Sequence, residues 1–197
     1  MIIPTFQEQD YVKVTLSSLI EAKRYGSSRG VETEIIVVDS GSDETEEIAK
    51  RLVDKVYKLK ERGIAKARNF GAMKSRGEVL IFLDADVIVP TDFLEKVSKV
   101  FESPKVVGCA CPNFPANPSL SERIFFTMYN MATRFCLWLP PTKLKIQARG
   151  EFQAVRRKVF FEMKGFNENL PCAEDGEFSH RLSKIGKIRF MKDLTVF

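Results

Sequence analysis

The chain has 197 residues, of which 44% are hydrophobic and 29% are charged, and its formal net charge is +5. That length is enough for one sizeable domain, and the composition excludes a low-complexity or disordered chain. Lysine and arginine are dispersed among acidic residues, which argues against a nucleic-acid partner and favours phosphorylated ligands or an anionic membrane as partners of a basic protein.

A strand, a helix and a second strand are predicted at the start of the chain. Residues 1–4 predict a short strand, and residues 34–39 predict a buried strand that ends at Asp39. Between them, residues 10–25 predict a helix that ends at Gly26. The apolar positions of this helix recur at helical spacing: Val12, Leu16, Leu19 and Ile20.

Two further helices and a short strand are predicted next. Asp43 and Glu46 have the spacing of a capping box and predict the start of a helix. Residues 55–59 predict a strand, and the alanine-rich stretch 63–75 predicts a helix that contains Arg68.

Residues 79–83 form an unbroken apolar run that predicts a strand buried on both faces, and the run ends in Asp84-Ala85-Asp86. Residues two apart on an extended chain point to the same side, so both carboxylates can face one point. Two such groups suit Mg²⁺ or Mn²⁺. The alternative is that they cap the next helix, but Pro90 and Thr91 already supply a helix start, which favours the metal site.

Residues 91–101 predict a helix and residues 105–111 a strand, so strand and helix alternate throughout the first half. This alternation predicts an α/β fold with a mostly parallel, Rossmann-like central sheet flanked by helices. Ligands of such sheets bind outside the carboxyl ends of the strands. Three predicted strands end in polar groups that we expect on one rim: Pro4, Thr5 and Glu8; Asp39; Asp84 and Asp86.

The pattern changes to α+β after residue 111. We expect a single domain over residues 1–197, with a nucleotide-binding half (1–111) and an acceptor-side half (112–197). The predicted elements of the second half are a helix over 119–139 ended by Pro140-Pro141, a strand over 152–155, a short helix through Phe160 and Met163, a turn over 165–168, a helix from Glu174 through Ile185, and a strand over 187–191.

The predicted helix 119–139 carries more apolar residues than one buried face requires, including Phe125, Phe126, Leu137 and Trp138. Arg123, Arg134, Lys143 and Lys145 lie in or beside it. This combination is typical of a helix at a membrane surface, where it would bring the protein to a lipid-linked acceptor. The alternative is packing on the sheet or on a second copy in a homodimer.

The cysteines and the single histidine do not indicate a metal or disulfide framework. Cys109, Cys111, Cys136 and Cys172 form no Cys-x-x-Cys pair, and His180 is distant in sequence. We therefore expect free thiols in a reducing compartment. Neither a signal peptide nor a run of ~18 apolar residues is found, so we expect a cytoplasmic protein, located at the inner face of the membrane if 119–139 binds lipid.

Five motifs in the same order resemble those of the inverting nucleotide-sugar glycosyltransferases with the GT-A fold, glycosyltransferase family 2. They are Pro4-Thr5-x-x-Glu8, Val38-Asp39-Ser40-Gly41-Ser42-Asp43, Gly63-x-Ala65-x-Ala67-Arg68-Asn69-x-Gly71, Phe82-Leu83-Asp84-Ala85-Asp86, and Gly165-Phe166-Asn167-Glu168 followed by Glu174-Asp175. An Asp-x-Asp motif alone is common by chance, whereas five motifs in order are specific.

The resemblance implies a role for each matching residue. The first strand end (Pro4, Thr5 and Glu8) and Asp39 would hold the base and ribose, and Arg68 would also reach the nucleotide. Asp84 would contact the ribose and Asp86 would bind Mn²⁺ or Mg²⁺ directly. In the Glu174-Asp175 pair, Glu174 would contact the substrate and Asp175 would be the general base, which accepts the proton of the acceptor hydroxyl. The metal would offset the charge on the departing diphosphate.

Most of these residues also have a structural interpretation. Asp39 is also explained as a residue that caps a turn. Arg68, taken alone, is more readily interpreted as a solvent-exposed helix residue. Glu174 and Asp175 are also explained as acidic residues in the first turn of a helix, where the helix dipole favours them. Arg156 and Arg157 either flank the diphosphate or decorate a strand end, and His180 is left out of the site.

The resemblance therefore predicts a metal-dependent inverting glycosyltransferase that moves sugar from a nucleotide-diphosphate donor to an acceptor hydroxyl or lipid phosphate. The sequence lacks the Gln-x-x-Arg-Trp motif of processive synthases, which points to transfer of a single sugar. Family members often have a metal-binding histidine past the Glu-Asp helix, whereas no histidine follows His180.

Two other functions remain open from the sequence. One is a non-catalytic nucleotide-sugar binding module. The other is a nucleotidyltransferase on a similar scaffold, although a glycine-rich phosphate loop is missing between Pro4 and Glu8.

Overall fold

The computed structural model describes residues 1–53, 55–138 and 151–197. Its strands are Ile2–Thr5 (β1), Ile36–Asp39 (β2), Lys55–Lys58 (β3), Val79–Leu83 (β4), Val106–Ala110 (β5), Phe152–Arg156 (β6) and Lys187–Phe190 (β7). Its helices are Val12–Ser27 (α1), Thr45–Lys50 (α2), Ile64–Lys74 (α3), Phe93–Phe101 (α4), Leu120–Trp138 (α5), Arg157–Glu162 (α6) and Glu174–Ser183 (α7).

The strands form one sheet in the order β3-β2-β1-β4-β6-β5-β7. β1 pairs in parallel with β2 and β4, and β3 joins β2 in parallel. β6 runs antiparallel to both of its neighbours, β4 and β5, whereas β7 pairs in parallel with β5. The predicted α/β class with a mostly parallel sheet is confirmed, and strands from both halves of the chain share this sheet.

Helices cover both faces of the sheet. Consecutive strand residues point to opposite sides, so an unbroken apolar strand has apolar side chains to bury on each face. In β4, Ile81 and Leu83 belong to one buried cluster, together with apolar residues of α1 and α4. Leu80 and Phe82 belong to the other, with residues of α3, α6 and α7. The prediction that 79–83 is buried on both faces is therefore confirmed.

Gly26 does not end α1, as the sequence suggested, but lies buried inside it. A Cβ atom at this position would lie 3.2 Å from Leu94 Cβ of α4, so glycine permits close packing of the two helices. The chain turns instead at Gly30, which has a positive φ of 76°.

The predicted capping box of Asp43 and Glu46 is not formed. Asp43 lies ahead of α2 and accepts hydrogen bonds from the backbone N–H groups of Thr45 and Gln9, both at 3.2 Å. Glu46 instead pairs with Lys50 at 2.8 Å and Lys58 at 3.3 Å. The helix predicted from Glu174 through Ile185 is shorter than expected, since α7 ends at Ser183.

The predicted helix 119–139 corresponds to α5. Leu139, Pro140, Pro141, Lys143 and Lys145, which entered the sequence prediction, lie outside the described residues. In the part of the chain that the structure describes, no helix has the length and apolar character needed to cross a membrane.

Candidate active site

The carboxyl ends of the parallel strands meet at one edge of the sheet, and a row of polar side chains crosses them. Thr5, Asp39 and Lys58 are neighbours across β1, β2 and β3. The Thr5 hydroxyl donates to Asp39 Oδ1 at 2.8 Å, and Lys58 Nζ donates to Asp39 Oδ2 at 2.5 Å. The row ties the three strand ends together directly below the candidate site.

Asp39 is fully buried within this row. Its Oδ1 also accepts a hydrogen bond from the Gly41 backbone N–H at 3.2 Å, as the turn-capping interpretation expects. The cleft above is lined by the next residue, Ser40, and not by Asp39. Its carboxylate therefore faces protein donors in this structure.

The cleft has a volume of about 740 Å³ and lies over the ends of β1 and β4. It is lined by Pro4, Thr5, Phe6, Glu8, Ser40, residues 62–67, Asp84, Asp86 and residues 168–171. Five of the residues selected from the sequence are thus on its wall: Pro4, Thr5, Glu8, Asp84 and Asp86. The loop 168–171 of the second half forms the facing wall.

Asp84 and Asp86 differ in their surroundings. Asp84 leaves the end of β4 and keeps 30% of its side chain accessible, while Arg68 donates to its Oδ1 at 2.7 Å. Burial raises the pKa of Asp84 to about 6, although Arg68 opposes that shift. Asp86 is exposed in the cleft and is the carboxylate that is open to a ligand.

Arg68 joins the two acidic motifs of the site. Its side chain is 1% exposed, and its two terminal nitrogens donate to Asp84 Oδ1 and to Glu174 Oε1, each at 2.7 Å. Glu174 is itself buried. The interpretation of Arg68 as a solvated helix residue is wrong, because it is an ion-pair centre between the end of β4 and the start of α7.

The start of α7 is held in a conformation that an ordinary residue rarely adopts. Ala173, just before Glu174, has φ 59° and ψ 27°, in the left-handed region. Gln153 of β6 fixes the helix by donating to the Asp175 carbonyl at 3.2 Å and to Ser179 Oγ at 2.8 Å. Such strain is often found at functional sites, where the surrounding packing enforces it.

Asp175 is half-buried beside the Arg68–Glu174 pair. Its Oδ1 accepts a hydrogen bond from the Gly176 backbone N–H at 2.6 Å. Glu174 is committed to Arg68, which disfavours it as a proton acceptor. Neither residue is among those that line the cleft, and the assignment of Asp175 as the general base stays a prediction.

Asn69, the neighbour of Arg68, positions the facing wall of the cleft. Its Nδ2 donates to the Phe166 carbonyl at 2.9 Å and to Glu168 Oε1 at 2.8 Å, and its Oδ1 accepts from the Phe166 N–H at 2.9 Å. Gly165 approaches so closely that a Cβ atom there would lie 2.5 Å from Asn69 Oδ1. Arg68 therefore links α3 to the start of α7, and Asn69 links α3 to residues 166–168.

The carboxylates of the cleft perturb one another. The pKa of Glu8 is raised by burial, and further by Asp86 and Asp84. Within the described residues, no group of three His, Cys, Asp or Glu side chains has the geometry of a complete metal site. The donor set nevertheless fits Mg²⁺ or Mn²⁺, because such ions commonly bind one or two carboxylates and take their other ligands from phosphates and water.

The sequence interpretation missed the cationic side of the cleft. Arg62 and Lys66 line it, and the Arg62 guanidinium lies 3.8 Å from the centre of the Phe6 ring. For Arg62 the signal was available: the segment 59–62 contains three charged residues and follows a parallel strand, so its loop has to lie on the same rim.

Arg156 and Arg157 lie elsewhere. Arg156 donates to the carbonyls of Phe101, Ser103 and Val106, and Arg157 donates to those of Ala72 and Ser75. Both side chains therefore bind backbone at the opposite end of β4 from Asp84, which settles their open interpretation in favour of a structural role.

Comparison with known proteins identifies the family and the type of fold of the chain. The family model for glycosyl transferase family 2 matches residues 1–162. Polypeptide N-acetylgalactosaminyltransferase 3 of Drosophila melanogaster is 29% identical over 87% of this chain and 30% of its own length. Human dolichyl-phosphate beta-glucosyltransferase is 24% identical over 70% of this chain and 48% of its own length. The chain thus spans less than half of either relative.

A solved structure shares the fold over almost the whole chain. It is the mannosyltransferase PcManGT of Pyrobaculum calidifontis, in complex with GDP-Man and Mn²⁺. The TM-score is 0.78 at 24% identity, over 99% of this chain and 55% of that protein. The expected GT-A type of fold is confirmed by this similarity.

Proposed function

The chain belongs to glycosyl transferase family 2, and we propose that it transfers a sugar from a nucleotide-diphosphate donor to an acceptor with inversion at the anomeric carbon. One observation carries the proposal: Arg68 holds Asp84 of the Asp-x-Asp motif and Glu174, the neighbour of Asp175, on the same guanidinium. This contact joins the Asp-x-Asp motif, which lines the cleft, to the helix that carries Asp175, the proposed base, although Asp175 is not itself among the residues that line the cleft. The complex of a similarly folded mannosyltransferase with GDP-Man and Mn²⁺ supports it.

The donor would bind along the rim of the sheet. The wall formed by Pro4, Thr5 and Glu8 would contact the nucleobase and the ribose of the donor. Asp39 supports this wall by accepting a hydrogen bond from the Thr5 hydroxyl. Asp84 would accept a ribose hydroxyl hydrogen bond. Arg62 and Lys66 would supply positive charge to the diphosphate oxygens, with Lys66 paired to Glu61 in this structure.

Asp86 would hold a divalent cation, with Asp84 beside it. When bound, the cation supplies positive charge that offsets the charge on the departing diphosphate. Arg68 donates through its terminal nitrogens to Asp84 and Glu174 and is not among the residues that line the cleft beside Asp86.

Asp175 would act as the general base for a hydroxyl acceptor. Its carboxylate takes the hydroxyl proton while the acceptor oxygen bonds to the anomeric carbon, and the bond from that carbon to the phosphate oxygen breaks with its electron pair on the diphosphate. An acceptor phosphate is already ionised and would not need this proton transfer. Replacement of Asp175 therefore distinguishes the two acceptor classes.

A thermal-shift panel tests the donor site. UDP, GDP and dTDP would be added with and without Mn²⁺, since a ligand that binds only the folded state raises the melting temperature by mass action. We expect at least one nucleotide to stabilise the protein in a Mn²⁺-dependent manner. Asp86→Ala should abolish this shift, whereas Asp92→Ala, which removes a carboxylate outside the cleft, should preserve it. An unchanged Mn²⁺-dependent shift in Asp86→Ala would remove Asp86 from the metal site.

Asp175→Asn tests the chemistry separately. We expect nucleotide binding to persist and transfer to a hydroxyl acceptor to fall on the order of a hundredfold or more. Glu177→Gln, on the same helix but paired with Arg181, is the matched control. Transfer to a hydroxyl acceptor at the rate of the unmodified protein would exclude Asp175 as the base.

A further inference from the structure

The polarity of α5 is the reverse of that of an ordinary surface helix. Leu120, Ile124, Met128 and Met131 recur at helical spacing on one stripe, and each is between 55% and 76% exposed. The side towards the sheet contains the buried polar residues Asn130 and Thr133. A helix whose apolar stripe faces outward requires a partner for that stripe, because large exposed apolar patches mark interaction sites.

Polar contacts fix the orientation of α5, so the stripe cannot turn inward without breaking them. Asn130 Nδ2 donates to the Asn113 carbonyl at 3.0 Å, and Asn130 Oδ1 accepts from the Asn113 N–H at 3.3 Å. Phe126 packs near Phe114 on the same side, with ring centres 6.2 Å apart. The outward orientation of the stripe is thus built into the contacts of the helix.

The edges of the stripe indicate the chemistry of the partner. Arg123 and Arg134 are exposed along one edge, and neither forms an ion pair with the carboxylates that the structure describes. Phe125 and Tyr129 stack on the other edge, with ring centres 6.4 Å apart. Glu122 is the only acidic residue of α5, and it is hydrogen-bonded to Ser119 at the start of the helix.

We propose that the α5 stripe docks on an anionic lipid bilayer. The apolar side chains would enter the boundary between headgroups and acyl chains, where aromatic rings are favoured, and the two arginines would pair with lipid phosphates. A second copy of the chain fits less well, because its own α5 face offers no carboxylate to Arg123 and Arg134. The charge of the stripe is therefore complementary to lipid headgroups and not to itself.

The side of α5 that faces away from the stripe lies close to the reaction cleft. Tyr129, Asn130 and Thr133 surround a small cavity that also contacts Glu151, and the Glu151 carbonyl accepts a hydrogen bond from the Asp84 N–H at 3.4 Å. Docking would bring the acceptor side of the cleft to the bilayer surface. That this serves a lipid-linked acceptor rests on the proposed function, whereas the docking itself does not.

Vesicle flotation tests the docking without any measurement of activity. The chain would be mixed with vesicles of phosphatidylcholine containing phosphatidylglycerol, or of phosphatidylcholine alone, at about 0.05 M and about 0.5 M salt. We expect flotation with the anionic vesicles at low salt and a marked loss at high salt. Arg123→Gln with Arg134→Gln should weaken binding to the anionic vesicles and reduce this salt dependence.

Met128→Glu and Met73→Glu form a matched pair, since the two methionines are 67% and 61% exposed but only Met128 is on the stripe. We expect Met128→Glu to lower vesicle binding on the order of tenfold and Met73→Glu to leave it nearly unchanged. Circular dichroism and thermal unfolding check that both variants stay folded.

Three results would overturn the proposal: no flotation of the unmodified chain at low salt, equal effects of the two glutamate variants, or equal binding to neutral and anionic vesicles. Light scattering adds a fourth. A dimer that Met128→Glu dissociates, without flotation, would assign the stripe to a second copy. The nucleotide-dependent thermal shift is measured on the same samples. Flotation reports on docking and the thermal shift reports on the donor site, so failure of docking and failure of the proposed function are separate outcomes.

Discussion

Replacement of Arg68 by methionine is expected to destabilise the protein more than any surface ion-pair change. Methionine retains much of the volume of the side chain but removes its charge and donors. Arg68 and Glu174 are both buried, so the variant leaves a carboxylate without its cation. Asp84, which is 30% exposed, is compensated in part by water.

The magnitude follows from these burials. Breaking one partner out of a buried ion pair costs about 3–5 kcal/mol, because the remaining charge is uncompensated. For a chain of this size each kcal/mol lowers the melting temperature by roughly 2–4 °C, so we expect a fall of about 6–20 °C. Lys96→Met, which breaks the surface pair with Asp92, should cost at most about 1 kcal/mol.

A double-mutant cycle separates the buried charge from the loss of packing. Arg68→Met with Glu174→Gln removes both charges and should recover about 1–3 kcal/mol relative to Arg68→Met alone. Thermal and urea unfolding at neutral pH measure each corner of the cycle. A fall of less than about 2 °C in Arg68→Met, or a double variant no more stable than the single one, would refute the ion-pair interpretation.

Three further predictions concern positions around the site. Gly71→Ala would gain about 1 kcal/mol from helix propensity alone. A Cβ atom there would nevertheless lie 2.4 Å from Ile2 Cγ2, so we expect a net loss of about 1–3 kcal/mol in urea unfolding, and a gain would contradict this contact. Asn69→Ala removes three hydrogen bonds to the facing wall and should lower both stability and nucleotide affinity, whereas unchanged calorimetric binding would show that the wall does not contact the nucleotide. Burial raises the pKa of the Cys109 thiol, so alkylation of the native protein followed by mass spectrometry should modify exposed Cys172 first, and equal modification of the two would contradict the burial.

The sequence was sufficient to predict the rim of the sheet. An apolar run too short for a helix identifies β4, and alternation with helices makes the neighbouring strands parallel. Carboxyl ends of parallel strands lie on one edge, so Thr5, Glu8, Asp84 and Asp86 had to lie near one another. Each step of this inference uses only local pattern and the chirality of strand connections.

The sequence was not sufficient where the structure depends on long-range contacts. Arg68 is separated from Asp84 by 16 positions and from Glu174 by 106, and its helix has no local feature that indicates burial of a guanidinium. The antiparallel insertion of β6 between β4 and β5 is also decided by distant pairing. Gly26 shows the same limit, because its close approach to Leu94 of α4 is a long-range contact that the local pattern does not reveal.

Two features of the site, repulsion among its carboxylates and left-handed backbone conformations, reduce the stability of the fold. Glu8, Asp84 and Asp86 line one cleft, where burial and the two aspartates raise the pKa of Glu8. Gln7 and Ala173 hold left-handed conformations next to acidic residues. Neutral side chains and glycines would relieve both the repulsion and the strain, so neither feature is explained by folding. Arg68 pairs with the inner carboxylates of Asp84 and Glu174, whereas Asp86 is exposed in the cleft. Under the proposed function, a divalent cation that binds together with the donor diphosphate would supply the positive charge that offsets these carboxylates.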